Sequence, residues 1–257
     1  MTGSPGSPGQ VVPPGPGESR EGESRPGGPP AAGEPRAAGE QRPSAADPVA
    51  GPDSRVRLVL WRHGQTEWNV QGRFQGQSDI PLDEVGVQQA ERAARLLAAL
   101  RPDAIISSDL GRAMATAAPL ARLTGLAVSA DKDLRERHGG VWEGLTDVQI
   151  RTRYPEEYAQ WRPPEGEATA TVADRAGSAL ERIADGLAPG SLAVVVSHGA
   201  AIRLGAARLL GMPEELWGVI GPLANCAWSV LARRNRRWRL IEHNAGTLPE
   251  PVLSDDR

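Results

Sequence analysis

The stretch LVLWRHGQT, residues 58–66, decides the fold that this sequence predicts. Its four leading residues are apolar, which is typical of a short parallel strand covered on both faces. The strand then runs into Arg62-His63-Gly64, so an imidazole lies beside a guanidinium where the strand ends. A second apolar strand ends in the same way, in Ser197-His198-Gly199. If both strands are parallel members of one sheet, both imidazoles reach the same edge, where ligands of such sheets collect.

The segments around these two strands alternate between strand and helix patterns. Short apolar runs predict strands, and apolar residues at helical spacing, closed by Gly or Pro, predict helices. After a first strand at 56–61, the sequence predicts a helix within 81–101, a strand at 103–108, a helix at 111–125, strands at 126–134 and 191–199, a helix at 201–211, and a strand pair at 226–233 and 237–244. This alternation indicates an α/β fold: a three-layer αβα sandwich, with helices on both faces of a mostly parallel sheet.

Composition separates the beginning of the chain from the rest. The first 53 of the 257 residues are dominated by Gly, Pro, Ser, Glu and Arg and contain almost no large apolar side chains. Such a segment cannot bury enough apolar surface to offset the entropy lost on ordering. The sequence therefore predicts a disordered tail over residues 1–53 and one catalytic domain over residues 54–257, a normal domain size.

Charge and motif content narrow the function classes. A net charge of −3 and a pI near 5.9 argue against a nucleic-acid-binding surface. The sequence has no apolar run of ~18 residues and no signal-peptide pattern, so we expect a cytoplasmic protein without a membrane partner. The single cysteine, Cys226, excludes an intrachain disulfide and a cysteine-based metal site. Because no nucleotide-binding or serine-hydrolase motif is present, no bound cofactor is expected. We interpret Trp142, Trp161 and Trp217 as packing residues. The sequence is compatible with a homodimer and does not decide the oligomeric state.

Three readings of the paired histidines compete. Either histidine alone is usually a structural residue, and two histidines with a carboxylate can hold a divalent cation. Arg62, next to His63, would repel such a cation, whereas imidazolium and guanidinium groups together would stabilise a phosphate. Two more arginines follow strand ends, Arg73 in a glycine-bearing loop and Arg112 at the start of a helix. The sequence therefore favours a phosphate site at this sheet edge, and a metal-independent one.

Phosphoryl transfer also needs a nucleophile and a proton donor. A neutral histidine can attack phosphorus and form a phosphohistidine, which water then hydrolyses. Glu136, just after the predicted third strand, is the best candidate for the donor, because a nearby phosphate favours its protonated form. Asp133 and Glu143 are rival donors from the same stretch, and we expect His138 to lie at the rim.

These residues together resemble a known family. RHGQT at 62–66, followed by Asn69, Arg112, Glu136 and the SHG at 197–199, is similar to the histidine phosphatase superfamily, in its phosphoglycerate-mutase-like branch. The similarity spans residues 57–244. It implies the following roles: His63 as the phosphorylated nucleophile; Arg62, Arg112 and His198 as the phosphate pocket; Glu136 as general acid; Asn69 and Gln75 as further pocket residues; and the N–H of Gly199 as an added donor.

The same resemblance separates phosphatases from mutases. Cofactor-dependent mutases carry a long insertion between the acid and the second histidine, whereas here only 198 − 136 = 62 positions separate them. We therefore expect water to reach the phosphohistidine, which favours hydrolysis. Mutase-type transfer and a non-catalytic binding module of the same fold remain as alternatives.

Three stretches, at 69–86, 134–150 and 225–245, resemble the actinobacterial group that acts on glucosyl-3-phosphoglycerate. PEGEATATV at 164–172 departs from the glycine-glycine-glutamate-serine run of many relatives. Within the family, broad phosphomonoesterases, phosphosugar phosphatases and α-ribazole phosphatases are the other possible assignments. The predicted partner is thus a small phosphorylated metabolite.

Overall fold

The computed structural model describes residues 55–246. The tail predicted over residues 1–53 lies outside this range, as do Ser54 and the last eleven residues of the predicted domain. In the described part of the chain, no helix is both long enough and apolar enough to cross a membrane.

A single mixed sheet forms the centre of the fold. Its strands are β1 (Val56–Arg62), β2 (Ala104–Ser107), β3 (Val128–Ala130), β4 (Leu192–Ser197), β5 (Trp228–Arg234) and β6 (Arg237–Ala245). They lie in the order β3-β2-β4-β1-β5-β6. The first four strands of this order pair in parallel, and β5 and β6 add an antiparallel edge. The mostly parallel sheet and the final strand pair are therefore confirmed.

Helices cover both faces of the sheet. They are α1 (Glu67–Val70), α2 (Glu84–Ala99), α3 (Gly111–Thr124), α4 (Asp147–Arg153), α5 (Pro155–Ala159), α6 (Thr169–Asp185) and α7 (Gly199–Leu209). Within residues 55–246, short 3-10 helices occur at Lys132–Leu134, Gly140–Trp142 and Glu214–Val219. Because side chains alternate along β1, Val59 and Trp61 pack with α2 and α3, whereas Leu58 and Leu60 pack with α6 and α7. The predicted three-layer arrangement is confirmed.

Two elements differ from the sequence-based expectation. The predicted strand at 126–134 is only three residues long, because the Asp131 carboxylate accepts a hydrogen bond from the Asp133 N–H and starts a 3-10 turn. Helix α6 was not predicted, although Val172, Ala176 and Ala179 form a buried stripe along it. The stretch at 155–172 also contributes packing residues: Trp161 lies in an aromatic cluster with Phe74 and Trp142.

Candidate active site

The two histidines lie at the same edge of the sheet. Strands β1 and β4 pair in parallel with Arg62 opposite Ser197, and the His63 N–H continues the ladder by donating to the Ser197 carbonyl at 3.0 Å. Both rings are buried, and their centroids are 5.2 Å apart with an interplanar angle of 56°. Parallel pairing thus brings together the two imidazoles that the sequence places after separate strands.

The His63 ring is fixed in one tautomer. Its Nδ1 lies 2.7 Å from the Gly64 carbonyl oxygen. A carbonyl can only accept a hydrogen bond, so Nδ1 carries the proton and Nε2 carries the lone pair. The Gly64 N–H in turn donates to Thr116 Oγ1 at 3.0 Å. His63 therefore has a neutral, oriented nitrogen suited to nucleophilic attack.

Gly64 is needed for helix packing. A Cβ added to Gly64 would come within 2.5 Å of the Gly86 carbonyl oxygen on α2. The close backbone approach that this glycine allows is to a neighbouring helix. The backbone that carries His63 is consequently held directly against α2.

In His198 the ring nitrogen that contacts a protein group is Nε2, whereas in His63 it is Nδ1. Its Nε2 lies 2.9 Å from Ser108 Oγ, and that oxygen accepts the Leu110 N–H at 3.3 Å. A hydroxyl can donate or accept; we assign Ser108 as the donor to Nε2, which puts the proton of the neutral His198 ring on Nδ1. This Nδ1 is buried and has no hydrogen-bond partner among residues 55–246. It is a donor placed to bind an anion.

Two buried arginines flank the histidines. Arg62 donates from Nη1 to the Leu223 carbonyl at 2.5 Å. Arg112, in the first turn of α3, donates from Nη1 to the Ser78 carbonyl at 2.6 Å and from Nη2 to the Gly76 carbonyl at 2.7 Å. These bonds, all three to backbone carbonyl oxygens, orient both guanidinium groups.

The surroundings keep both imidazoles neutral. Burial is the main cause that lowers the pKa of His63 well below its usual 6.5, and the charges of Arg112 and Arg62 lower it further. The pKa of His198 is lowered in the same way, by burial first and then by Arg112 and His63. The imidazolium expected from the sequence is therefore not the resting form: the arginines supply the positive charge, and the histidines supply a lone pair and a donor.

Glu136 lies beside the second histidine. Its carboxylate accepts the Ala200 N–H at 3.1 Å and the Ala201 N–H at 3.2 Å, both in the first turn of α7, which begins directly after His198. It also accepts the N–H of Arg137 at 2.7 Å. A carboxylate is favoured at such a helix N-terminus. Glu136 is thus fixed at the start of α7, the helix that follows His198.

Asn69 and Gln75 support the loop after β1. Both are buried. Asn69 Oδ1 accepts the Thr66 N–H at 3.1 Å, and Thr66 Oγ1 donates to Gln75 Oε1 at 3.0 Å. Asn225 Nδ2 joins this loop to the histidine by donating to the His63 carbonyl at 3.2 Å and to Asn69 Oδ1 at 3.1 Å. Gly199, also buried, is the first residue of α7.

Arg73 does not join this group. It donates from Nη1 to the Gly144 carbonyl at 2.6 Å and from Nε to Gln71 Oε1 at 2.6 Å. Its backbone also bridges to Thr146. The guanidinium therefore ties the loop after α1 to the loop before α4, because local pairing between these two loops turns it away from the sheet edge.

Comparisons with known proteins agree with this geometry. The sequence pattern of the histidine phosphatase superfamily (branch 1) matches residues 58–246. Glucosyl-3-phosphoglycerate phosphatase of Mycolicibacterium vanbaalenii is 40% identical over 212 residues, which cover 74% of this chain and 94% of that protein. The solved mycobacterial glucosyl-3-phosphoglycerate phosphatase in complex with VO3 superimposes with a TM-score of 0.71 at 40% identity, over 74% of this chain and 99% of that one.

A protein of Shigella boydii named "Probable phosphoglycerate mutase" is also similar, at 37% identity over 191 residues, 71% of this chain and 87% of that protein. The chain belongs to the histidine phosphatase superfamily. It is a phosphatase, that is, a hydrolase, as the sequence predicted.

Within this histidine phosphatase, the two rival acids have other surroundings. The Glu143 carboxylate accepts the N–H groups of Gln77 at 3.0 Å, Ser78 at 2.9 Å and Gly139 at 2.9 Å. Glu143 therefore holds together the loop that carries the acceptors of Arg112. Asp133 lies at the surface, where it accepts a bond from Arg182 Nη2 at 2.8 Å. The half-exposed His138 ring lies beside Glu143, with 3.8 Å between Nε2 and Oε1.

The most important residue that sequence reasoning missed is Arg175 of α6. Residues 133–136, which end in Glu136, are called the acid loop below. Arg175 donates to three carbonyl oxygens of this loop: those of Asp133 at 2.9 Å, Arg135 at 2.7 Å and Glu136 at 2.9 Å. Its Nε and Nη2 also bind both carboxylate oxygens of Glu167, at 2.6 and 2.7 Å. An arginine beside the apolar stripe of a helix was the available signal, but helix α6 itself was not predicted.

Residues 55–246 contain no group of three or more His, Cys, Asp or Glu side chains arranged to hold a metal ion. Cys226 is buried and forms no disulfide, and its backbone carbonyl accepts the Trp61 indole N–H at 3.1 Å. The groups around His63 that can bind a ligand include Arg62, Arg112 and the Nδ1 of His198, and these suit an anion.

Proposed function

We propose that this phosphatase hydrolyses a phosphomonoester of the phosphoglycerate type through a phosphohistidine on His63. The single observation that carries this proposal is the oriented His63 ring. Its Nδ1 proton is bound by the Gly64 carbonyl at 2.7 Å, so the lone pair is on Nε2, and the charges of the buried Arg112 and Arg62 act on this ring. A neutral imidazole beside fixed positive charge is the arrangement that nucleophilic attack on a phosphate dianion requires.

The first half of the reaction transfers the phosphoryl group to His63. Arg62, Arg112 and the Nδ1–H of His198 bind the non-bridging oxygens, and the His63 Nε2 lone pair forms the P–N bond. As the ester P–O bond breaks, protonated Glu136 gives its proton to the departing alcohol oxygen. The incoming dianion favours that protonated form, because it lies beside the carboxyl group.

The second half releases orthophosphate. The alcohol leaves, and water takes its place next to Glu136, which is now a carboxylate. Glu136 accepts a proton from the water as its oxygen attacks phosphorus, and the P–N bond breaks with its electron pair returning to His63. No metal or bound cofactor takes part in either step of this proposal.

The substrate assignment rests on similarity over most of the domain to proteins named glucosyl-3-phosphoglycerate phosphatase. In PEGEATATV, where the sequence departs from many relatives, Glu167 binds Arg175 with both carboxylate oxygens. Glu167, which keeps the glutamate of that run, thus supports the acid loop. Glucosyl-3-phosphoglycerate is accordingly the first substrate to test, with other phosphosugars and α-ribazole phosphate as comparisons.

Orthophosphate release from these substrates, measured with and without EDTA, tests the proposal. We expect EDTA to leave the rate unchanged, and His63→Asn to reduce it by at least about a thousandfold, because the nucleophile is lost. A rapid quench under alkaline conditions should trap an acid-labile phosphoryl group on His63. Activity that depends on added divalent metal, or that survives in His63→Asn, would refute the phosphohistidine.

Phosphoryl transfer to a second phosphoglycerate is the other candidate, favoured by the similarity to the protein named as a probable mutase. Incubation with 3-phosphoglycerate distinguishes a mutase from a phosphatase: a mutase converts it into 2-phosphoglycerate with little orthophosphate. A cytoplasmic location and a homodimeric assembly stay predictions, which cell fractionation and light scattering test.

A further inference from the structure

Residues 224–227 form a tight turn against the end of β1, called the 224–227 turn below. The Cys226 N–H donates to the His63 carbonyl at 3.2 Å, and the Ala227 carbonyl accepts the Arg62 N–H at 2.9 Å. The turn therefore fixes the backbone of two neighbouring residues of the proposed phosphate site.

Two further bonds at this turn reach the same two residues. Asn225 Nδ2 donates to the His63 carbonyl at 3.2 Å. The carbonyl of Leu223, directly before the turn, accepts from Arg62 Nη1 at 2.5 Å. The direction of the Arg62 guanidinium thus depends on where the turn lies.

The turn contains a conformation that needs outside support. Cys226 has a φ of 57°, in the left-handed region that residues with a side chain rarely adopt. Such a conformation persists only where the surrounding structure holds the backbone. The Ala227 N–H closes the turn by donating to the Ala224 carbonyl at 3.1 Å, and contacts outside the turn have to fix its place.

Strand β6 supplies those contacts through two adjacent side chains. Asn244 Oδ1 accepts the Ala224 N–H at 2.7 Å. His243 Nε2 lies 2.9 Å from the Gly221 carbonyl oxygen, so Nε2 carries the proton, and Nδ1 lies 2.9 Å from Ser229 Oγ. The end of β6 is therefore bonded to the first residue of the turn and to the loop before it.

A β-bulge explains why Asn244 reaches the turn. Trp228 pairs with Ala245 and Val230 pairs with Glu242, so β6 has one more residue than β5 over this step. Asn244 lies in this step with a φ of 53°, a left-handed conformation that asparagine adopts more readily than most residues. Because an extra residue breaks the regular alternation of side chains, the bulge can direct this side chain to the turn.

We propose that Asn244 is a positioning residue for phosphate binding: its bond to the Ala224 N–H holds the 224–227 turn in the place from which the turn orients Arg62 and His63. This inference rests on the proposed function, because it concerns the anion site of that reaction. Asn244 acts through the turn and takes no part in bond breaking. It is an exposed residue, so its replacement does not open the core.

Calorimetric titration with orthophosphate tests this role. Asn244→Gly removes the acceptor, and glycine adopts the left-handed conformation at no cost. We expect the Kd of orthophosphate to rise about 5- to 50-fold, because charge-assisted bonds from Arg62 depend on its alignment. Asn244→Asp keeps an oxygen acceptor and should bring the Kd back close to the wild-type value. Unfolded molecules lower the number of sites and not their Kd, so a merely structural role would leave the Kd unchanged.

Asn235→Gly is the matched control. Asn235 is also exposed and has a φ of 51°, but it lies in the turn between β5 and β6, at the opposite end of this strand pair. Its substitution should leave the Kd unchanged. An unchanged Kd in Asn244→Gly, an equal rise in Asn235→Gly, or a failure of Asn244→Asp to restore binding would overturn the positioning role.

Hydrogen exchange of the wild-type enzyme gives a test that does not depend on variant folding. Coupling between two sites is reciprocal, so saturating orthophosphate should strengthen the bond between Asn244 and the Ala224 N–H and slow exchange of this amide. Exchange at the same rate with and without orthophosphate contradicts the proposal. Absence of orthophosphate release from any phosphoglycerate, with the Kd still raised in Asn244→Gly, would instead remove the proposed function and leave the positioning role in place.

Discussion

At the scale of single residues, Glu136 is the group whose role is easiest to isolate. Its carboxylate accepts three backbone N–H groups, two at Oε1 and one at Oε2, so Glu136→Gln keeps the side-chain volume and the two bonds to Oε1 while removing the transferable proton. We expect phosphorylation of His63 by alkyl phosphates to slow by about 10²- to 10⁴-fold, the usual contribution of a general acid. Phosphorylation by p-nitrophenyl phosphate should slow less than about tenfold, because that leaving group needs no proton.

The measurement has to separate the two half-reactions. Glu136 also activates water in the proposed second step, so steady-state rates of the variant would report dephosphorylation. The rate constant of the p-nitrophenol burst, recorded by stopped flow, reports the first step alone. An equal slowing of the burst and of alkyl phosphate cleavage would show that Glu136 is not the acid.

At the scale of elements, helix α6 holds the acid loop through Arg175. Its bonds to the carbonyl oxygens of Asp133, Arg135 and Glu136 fix the backbone from which the acid projects. Arg175→Met should therefore act through Glu136: we expect about a 10- to 100-fold loss on alkyl phosphates and a smaller loss in the burst with p-nitrophenyl phosphate. A merely structural role would lower both by the same factor, in proportion to the folded fraction. Arg182→Met, at the exposed end of the same helix, is the control.

The elements also show what could be predicted from the sequence and what could not. Two apolar strands ending in His-Gly were enough to locate the site, because parallel pairing carries strand ends to one edge. The partners that hold the site were not predictable in the same way. Ser108 meets His198 across 90 residues, and Asn225 meets His63 across 162. Contacts over such separations depend on the packed fold and leave no local pattern.

Arg73 and Glu143 illustrate the same limit from the other side. Both are polar residues in loops next to the site, and sequence position alone made them candidates for the pocket or the acid. In the structure they brace one loop against another. The directions of loop side chains follow from neighbouring loops, which sequence spacing does not describe.

At the scale of the whole molecule, the two buried imidazoles link stability to pH. Their folded pKa values lie below the unfolded value of about 6.5, so the unfolded chain binds more protons in the interval between them. The free energy of unfolding should therefore fall as pH drops below about 6.5. The slope is about 1.4 kcal/mol per pH unit for each histidine, and it ends once pH passes the folded pKa.

Urea unfolding between pH 7.5 and about 5 measures this slope above the range in which most carboxylates titrate. His63→Asn should flatten it by about half, because one of the two protons is no longer bound on unfolding. A wild-type stability that stays level down to pH 5 would mean that the two rings are not neutral in the folded protein.

The in-register pairing of β1 with β4 also determines how the enzyme tolerates change. The separation of the two imidazole centroids, 5.2 Å, is close to the ~4.8 Å spacing of adjacent strands. Backbone hydrogen bonds therefore determine the distance between His63 and His198. Core side chains determine only the fraction of molecules that are folded. Leu97→Ala, at a fully buried position of α2, should cost about 2–5 kcal/mol of stability and leave kcat per folded molecule unchanged. Mutations in the core can therefore lower the free energy of unfolding of this enzyme considerably, while each molecule that stays folded keeps its full catalytic rate.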